Sequence, residues 1–328
     1  MVAKAIRPPG LERVVRCDLC SATDFAPRAV YTDYLLFTED EHRLVTCRRC
    51  GLHFINPRPD AGTIAAYYPD DYIPHQKPRR TRLAGWELKA GGEPGAARSV
   101  VDRLTLHVMQ SVSWYLIPPR HGDRKILDVG CGSGRLLDTM RLLGWDTYGV
   151  EPSPAAVQRA VDAGHQAVVG TAEEAHFEPE SFDVVYLWHV LEHTHSPRRA
   201  LANCRRYLKP GGKLVMAVPN FNSFHSRLFG RYWWSTDAPR HLFQFTRRTI
   251  RAYLDELGFA DVRVASRTGA SSWLRGFRHT VNGVLGTRWR TDHAWMLALC
   301  EAPVVLSSLF GFFGVGSELR IVAAKPPT

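Results

Sequence analysis

The sequence predicts an α/β fold, in which helices cover both faces of a mostly parallel sheet. Three observations predict it. Residues 126–129 form a short, largely apolar strand, and Gly130, Gly132 and Gly134 follow it in alternation. A helix-like stretch then opens at Arg135, and further strand-like runs follow downstream. Such glycines let the backbone approach a bound molecule, because no Cβ blocks the way, while the helix N-terminus offers free N–H groups to it.

The later strands add candidate contacts for a nucleoside. The strand 146–150 ends at Glu151, where an acid can bind ribose hydroxyls. A short strand at 167–169 precedes the pair Ala172 and Glu173, which can frame the edge of an adenine. The remaining strand-like runs are 182–188, 213–218, 262–264 and 318–324.

This series resembles the class I S-adenosylmethionine-dependent methyltransferases in order and spacing, over about residues 120–268 and the final strand. The resemblance implies a Rossmann-like, seven-stranded methyltransferase sheet with helices on both faces. It also implies S-adenosyl-L-methionine as the cofactor. Carried over to this sequence, the cofactor-binding residues are Asp128, Gly130, Cys131, Gly132, Gly134, Glu151, Pro152, Ala172, Glu173, Trp188 and His189.

Length and composition fit this interpretation. A chain of 328 residues can hold one doubly wound domain and smaller additions, and its 45% apolar content is ordinary for a globular protein. The net charge of +10 favours an anionic partner, but the arginines are scattered, so a nucleic acid is not favoured. No apolar core of signal-peptide length follows Met1, so we expect a cytoplasmic protein.

Two Cys-x-x-Cys pairs near the N-terminus predict a metal site. Cys17, Cys20, Cys47 and Cys50 can present four sulfurs to one tetrahedral Zn²⁺. The alternatives are two disulfides or unrelated thiols, and the lack of an export signal disfavours the disulfides. We expect the zinc to be structural, since four cysteines leave no open coordination position. The other cysteines, Cys131, Cys204 and Cys300, are expected to be small core residues.

We expect a zinc ribbon at 12–73, a linker at 74–97 and a methyltransferase domain at 98–328. An aromatic-rich segment at 219–246 is expected to be a lid over the methyl acceptor. An apolar helical insertion at 269–316 either packs on the domain or a second subunit, or forms a membrane patch. That patch would use Trp273, Trp289 and Trp295, with Arg275, Arg278, Arg288 and Arg290 facing anionic headgroups.

Two clusters can activate the acceptor. One is His189-x-x-Glu192-His193, and the other is the segment 237–241, which ends at His241. The pair Glu192 and His193 resembles the E-x-x-E-H element of ubiquinone-pathway and small-RNA 2′-O-methyltransferases, which holds a divalent ion. Here His189 replaces the first acid, so a second divalent metal at His189, Glu192, His193 and His241 is one alternative. The preferred hypothesis makes His193 or His241 a general base beside Glu192.

The predicted reaction is methyl transfer from S-adenosylmethionine to a small molecule, with oxygen as the favoured target atom. The acceptor would be a natural-product, sugar or lipid-linked intermediate, and an anionic one would suit the net charge. Carbon or nitrogen methylation, a nucleic-acid-binding methyltransferase and a non-catalytic cofactor-binding scaffold stay open. A short-chain dehydrogenase is disfavoured, because no tyrosine has a lysine four residues later. A homodimer and peripheral contact with the inner membrane face are further expectations.

Overall fold

A computed structural model describes residues 10–34, 40–68, 124–268, 271–287, 289 and 314–327. Within these residues the strands are β1 (Leu11–Glu12), β2 (Phe25–Thr32), β3 (Glu41–Cys47), β4 (His53–Ile55), β5 (Arg58–Pro59), β6 (Lys125–Val129), β7 (Asp146–Glu151), β8 (Gln166–Val169), β9 (Phe182–Trp188), β10 (Leu208–Pro219), β11 (Phe243–Gln244), β12 (Ala260–Arg267) and β13 (Glu318–Ala324). The α-helices are α1 (Arg135–Leu142), α2 (Pro154–Asp162), α3 (Pro197–Tyr207), α4 (Phe224–Phe229), α5 (Arg247–Glu256) and α6 (Ser271–Leu285).

Seven strands form the central sheet, in the order β12-β13-β10-β9-β6-β7-β8. The strands β6 to β10 pair in parallel, whereas β13 runs antiparallel to both of its neighbours. The central strands β6 and β9 are almost wholly buried, as expected for a parallel sheet with both faces covered. The predicted seven-stranded α/β sheet is therefore confirmed, including the return of the last strand to the sheet.

Local sequence signals set where the helices begin. Ser153 and Ser196 each accept a backbone N–H three residues later and precede a proline at the first helical position of α2 and α3. Thr246 and Thr249 form a reciprocal capping box at the start of α5. These helices bury one face each against the sheet.

A second, four-stranded sheet has the order β11-β4-β3-β2. Its edge strand β11 belongs to the aromatic segment at 219–246, and Phe243 of β11 pairs with Phe54 of β4. Phe243 and Phe245 belong to the same buried core cluster as Phe54, and Trp233 is also fully buried. The aromatic segment thus joins the N-terminal strands to the domain built on the seven-stranded sheet. Four of its eight aromatic rings, those of Phe221, Trp233, Phe243 and Phe245, are buried. A lid over the methyl acceptor stays a prediction.

Several expected features lie outside the described residues: the linker 74–97, the start of the domain at 98, Cys300, Arg288, Arg290, Trp295 and most of the insertion. The first part of the insertion at 269–316 is described: it is α6, which packs against α4. The Trp273 ring lies 4.6 Å from that of His225, and the Arg275 guanidinium lies 4.7 Å above the Trp234 ring. Both side chains therefore pack on the domain, although Trp289 is 43% exposed. None of the helices in the described ranges is long and apolar enough to cross a bilayer.

Candidate active site

The glycine turn after β6 has a backbone that only glycine adopts easily. The φ angles of Gly130, Gly132 and Gly134 are +77°, +53° and +87°. A Cβ at Gly130 would lie 2.4 Å from Cγ2 of Val190, in the loop that follows β9. The turn therefore touches the loop that carries Glu192 and His193. This contact brings the predicted cofactor site and the predicted catalytic cluster side by side.

Two buried acids stand at this edge of the sheet. Asp128 is 5% exposed and Glu151 is 6% exposed. The Glu151 carboxylate accepts hydrogen bonds from the backbone N–H groups of Gly132 (3.1 Å) and Ser153 (3.0 Å). Burial, together with the charge of Glu151, raises the pKa of Asp128 well above its usual value. Two buried acids lie beside the glycine turn, where no Cβ covers the backbone. This arrangement suits a cationic ligand, such as a sulfonium nucleoside with an α-ammonium group.

The other predicted cofactor residues border the same edge. Pro152 follows Glu151, and Cys131 is buried with a raised thiol pKa, because burial disfavours the thiolate. The Glu173 carboxylate accepts the N–H groups of His195 (2.7 Å) and Ser196 (3.3 Å), so this side chain holds the start of α3. Contact of adenine with Ala172 or Glu173 stays a prediction.

Trp188 is the last residue of β9 and His189 follows it. Both side chains contact other residues of the protein. The Trp188 ring stacks on Tyr186 at 5.7 Å, and the Arg320 guanidinium lies 5.1 Å from its centre. His189 contacts a carboxylate with each ring nitrogen: Nδ1 lies 3.1 Å from Glu192 Oε1, and Nε2 lies 2.8 Å from Glu318 Oε2. Burial opposes its protonation, but the two carboxylates outweigh burial and raise the pKa of His189 to about 10.

His189 is not part of the group of ligand atoms that the structure brings together. Its two ring nitrogens face Glu192 and Glu318 instead. The ligand atoms of Glu192, His193 and His241 do come together, all within 4.8 Å of one another.

His193 and His241 have the same tautomer, fixed in each case by a backbone carbonyl. His193 Nδ1 lies 3.1 Å from the carbonyl oxygen of Arg240 and 2.9 Å from the hydroxyl of Tyr68. His241 Nδ1 lies 2.7 Å from the carbonyl oxygen of Ser235. A carbonyl oxygen only accepts, so each Nδ1 carries a hydrogen, and the lone pair of a neutral His193 ring is on Nε2.

The charges around these rings are set by burial and by His189. Burial works against an ionised Glu192, but the hydrogen bond from His189 outweighs it and lowers the pKa of Glu192. Burial and the neighbouring His241 lower the pKa of His193 to about 4. At neutral pH the site therefore holds a carboxylate beside a neutral imidazole. Oε2 of Glu192 is buried and has no hydrogen-bond partner among the residues that the structure describes.

The sequence did not predict that Asp33 and Tyr68, from the first 68 residues, contact the groups around His193. Arg240 is fully buried and binds Asp33 through two hydrogen bonds of 2.8 Å, while Asp237 binds it from the same segment. Asp33 follows β2, and Tyr68 follows β5, so both come from the N-terminal unit. The only local signal was the acid and the arginine that precede His241 at 237–241.

The four predicted zinc ligands form one cluster of free thiols. The Sγ atoms of Cys17 and Cys50 lie 3.5 Å apart, as do those of Cys20 and Cys47, and all four sulfurs lie within 4.8 Å. Four thiolates about 2.3 Å from one Zn²⁺ would be about 3.8 Å from each other. The donor set and its spacing therefore fit a tetrahedral zinc ion. Cys131 and Cys204 are buried core residues, as expected.

Comparisons with known proteins identify the family of this chain. The chain is similar to the ubiquinone biosynthesis O-methyltransferase of Photobacterium profundum, at 37% identity over 107 residues, 30% of this chain and 46% of that one. For the enzyme of the same description from Maricaulis maris, the identity is 35% over 149 residues, 42% of this chain and 59% of that one. The chain thus spans about half the length of the curated relatives it matches.

Two solved structures of methyltransferases are similar to this chain at low sequence identity. A Haemonchus contortus phosphoethanolamine N-methyltransferase is 19% identical with a TM-score of 0.47, covering 84% of this chain and 63% of that one. An Archaeoglobus fulgidus methyltransferase is 19% identical with a TM-score of 0.43, covering 75% of this chain and 100% of that one. A family described as "Methyltransferase domain" matches residues 77–264, which is more than half of the sequence. The chain therefore belongs to the methyltransferase-domain family and has the class I fold of S-adenosylmethionine-dependent methyltransferases.

Proposed function

We propose that this protein transfers a methyl group from S-adenosylmethionine to an oxygen atom of a small molecule, with His193 as the general base. The observation that carries the proposal is a neutral His193 next to the buried carboxylate of Glu192, on the loop that contacts the glycine turn. The names of the curated relatives, which are O-methyltransferases, support oxygen as the target.

Asp128, Glu151 and the turn from Gly130 to Gly134 would hold S-adenosylmethionine. When bound, it supplies an electrophilic methyl group on a positively charged sulfur. The protein's part is to hold the acceptor oxygen in line with that group and to exclude water. His193 Nε2 accepts the hydroxyl proton of the acceptor while Nδ1–H stays on the Arg240 carbonyl. The resulting imidazolium is stabilised by Glu192 and Asp237, whose charges favour protonated His193.

A divalent ion at Glu192, His193 and His241 is the second candidate mechanism. The unpartnered Oε2 of Glu192 favours it, because a buried carboxylate oxygen normally has a donor or a cation beside it. The Nδ1–H groups of both histidines donate to carbonyls, which is the usual orientation of metal-binding imidazoles. These residues would hold the ion, which would lower the pKa of the acceptor hydroxyl as a Lewis acid.

We also propose that Cys17, Cys20, Cys47 and Cys50 hold one structural Zn²⁺. The ion would replace a hydrophobic core that so small a unit cannot build alone. Because the same unit contributes Asp33 and Tyr68, the zinc site would support the geometry at His193.

The test measures donor binding first and the product second. Titration calorimetry should show binding of S-adenosylmethionine and of S-adenosylhomocysteine. A panel of hydroxylated acceptors, each paired with its deoxy analogue, should yield methyl ethers only from the hydroxylated members. If His193 alone activates the acceptor hydroxyl, adding a chelator should leave the methylation rate unchanged. If a divalent ion at Glu192, His193 and His241 activates it, the chelator should abolish methylation. Absence of binding of either nucleoside would refute the proposed function, and methylation at carbon or nitrogen would refute the target atom.

A further inference from the structure

A cavity of about 210 Å³ lies between β2 and the residues around α4. Three arginines line it: Arg28 from β2, and Arg227 and Arg231 from the aromatic segment. None of its lining residues carries a carboxylate. We propose that this cavity binds the phosphate group of a phosphomonoester or a diphosphate, separately from the nucleoside and methyl-transfer sites. Binding there does not depend on the proposed methyl transfer.

The arginines are not neutralised by the part of the protein that the structure describes. The side chains of Arg28 and Arg227 have no hydrogen bond or ion pair with any described residue. Arg231 donates a hydrogen bond of 2.7 Å to the Tyr232 hydroxyl and lies 4.9 Å above that ring, which leaves its charge uncompensated. Three like charges around one concave site repel each other, so an anion between them is stabilised.

The positive charge of Arg28 affects the pKa of two buried neighbours, His53 and Tyr31. Burial first, and then the positive charge of Arg28, lower the pKa of His53 to about 4. Burial raises the pKa of Tyr31 to about 12, although Arg28 opposes that rise. The Arg28 charge therefore reaches the floor of the cavity, and His53 beneath it is neutral.

The rest of the lining indicates what the ligand carries besides its charge. Ser226 and Asn222 add uncharged polar groups to the wall. The floor is aromatic, since Tyr31 and Phe221 are 6% and 8% exposed and Phe221 packs on His53 at 4.5 Å. Planar guanidinium groups match the oxygens of a phosphate through paired hydrogen bonds. A phosphate ester whose carbon portion rests on the rings fits both features.

The test uses the whole chain of 328 residues as purified and measures binding alone. Titration calorimetry with inorganic phosphate and with pyrophosphate compares the wild type with a double variant, Arg28→Ala and Arg227→Ala. The matched control is Arg248→Ala with Arg263→Ala, which removes the same charge from exposed positions on α5 and β12. We expect saturable pyrophosphate binding that weakens by about tenfold or more in the cavity variant and stays within about twofold in the control.

A second arm identifies the source of the phosphate. Co-sedimentation with vesicles that contain phosphatidic acid, which is a phosphomonoester, is compared with co-sedimentation with phosphatidylcholine vesicles for the same three proteins. Loss of vesicle binding in the cavity variant alone would assign the phosphate to a lipid headgroup. Pyrophosphate binding without vesicle binding would assign it to a soluble ester. Equal affinity in all three proteins, equal weakening in both double variants, or no saturable binding would overturn the proposal.

Discussion

Nε2 of His189 lies 2.8 Å from Oε2 of Glu318, which joins the end of β9 to the last strand of the sheet. The other ring nitrogen binds Glu192, and Arg320 binds the second oxygen of Glu318 at 2.6 Å. Positive and negative groups thus alternate from Arg320 to Glu192. This arrangement keeps Glu192 ionised in a position where burial alone would protonate it.

The first prediction concerns stability at high pH. The pKa of His189 is raised from 6.5 to about 10 in the folded protein, so the free energy from its ion pairs is complete below about pH 6.5. It is lost as the pH rises through about 10. We expect the wild type to lose more stability across that interval than His189→Gln. Urea unfolding of both proteins at matched pH values measures this difference, and equal losses would show that His189 is neutral.

The second prediction concerns the base. We expect His193→Ala to retain affinity for S-adenosylhomocysteine and to lower turnover by about 10²- to 10⁴-fold, because a general base contributes that much. His241→Ala should also retain affinity and lower turnover, through the loss of its contact with the His193 ring at 4.5 Å. Single-turnover kinetics with saturating donor measure both effects. Normal turnover in both variants would remove the histidines from the mechanism.

The dependence of wild-type turnover on pH also follows from His193. A base must be unprotonated, and the pKa of His193 is lowered to about 4. Turnover should therefore be independent of this group at neutral pH and fall only as the pH drops through about 4. The dependence of kcat/KM on pH reports this value for the free enzyme. An acid limb near the ordinary histidine pKa would argue against His193.

Much of this site could be predicted from local sequence, but its connections could not. The glycine turn and the four cysteines are short motifs, and Glu192 and His193 are neighbours in the chain. The bonds from Arg240 to Asp33, from His193 to Tyr68 and from His189 to Glu318 span 207, 125 and 129 residues. No periodicity links positions so far apart, because only the tertiary packing of distant strands and loops brings them together. The ion pair of His189 could not be predicted for this reason, since its partner Glu318 lies on the last strand.

The third prediction concerns the buried ion pair between Arg240 and Asp33. Asp33→Asn would leave the fully buried guanidinium with Asp237 as its remaining carboxylate partner. We expect a loss of about 3 kcal/mol in the free energy of unfolding, the scale for breaking a buried pair. Turnover should fall as well, since the Arg240 carbonyl orients His193. Asp24→Asn is the control, because its pair with Arg48 is exposed and should contribute less than about 1 kcal/mol.

The fourth prediction concerns zinc. Metal analysis should find one zinc per chain, and Cys47→Ser should lose it, because the remaining three thiolates bind more weakly. The thermal midpoint should fall together with the zinc content. Cys204→Ala is the control, since this buried cysteine lies on α3 and is not part of the cluster. Full zinc content in Cys47→Ser, or equal loss of zinc in both variants, would contradict the assignment of these ligands.

The last prediction tests whether the glycine turn and the loop after β9 act together. Gly130→Ala introduces a Cβ only 2.4 Å from Val190, in addition to the strain of a φ of +77°. Gly286→Ala is the control, because its φ is +66° but no atom lies within 4 Å of the new Cβ. Both variants should lose about 1–2 kcal/mol from strain. Only Gly130→Ala should weaken binding of S-adenosylhomocysteine and also slow turnover at saturating donor, because the displaced Val190 precedes Glu192 and His193. Unchanged donor affinity in Gly130→Ala would show that the nucleoside does not bind at this turn.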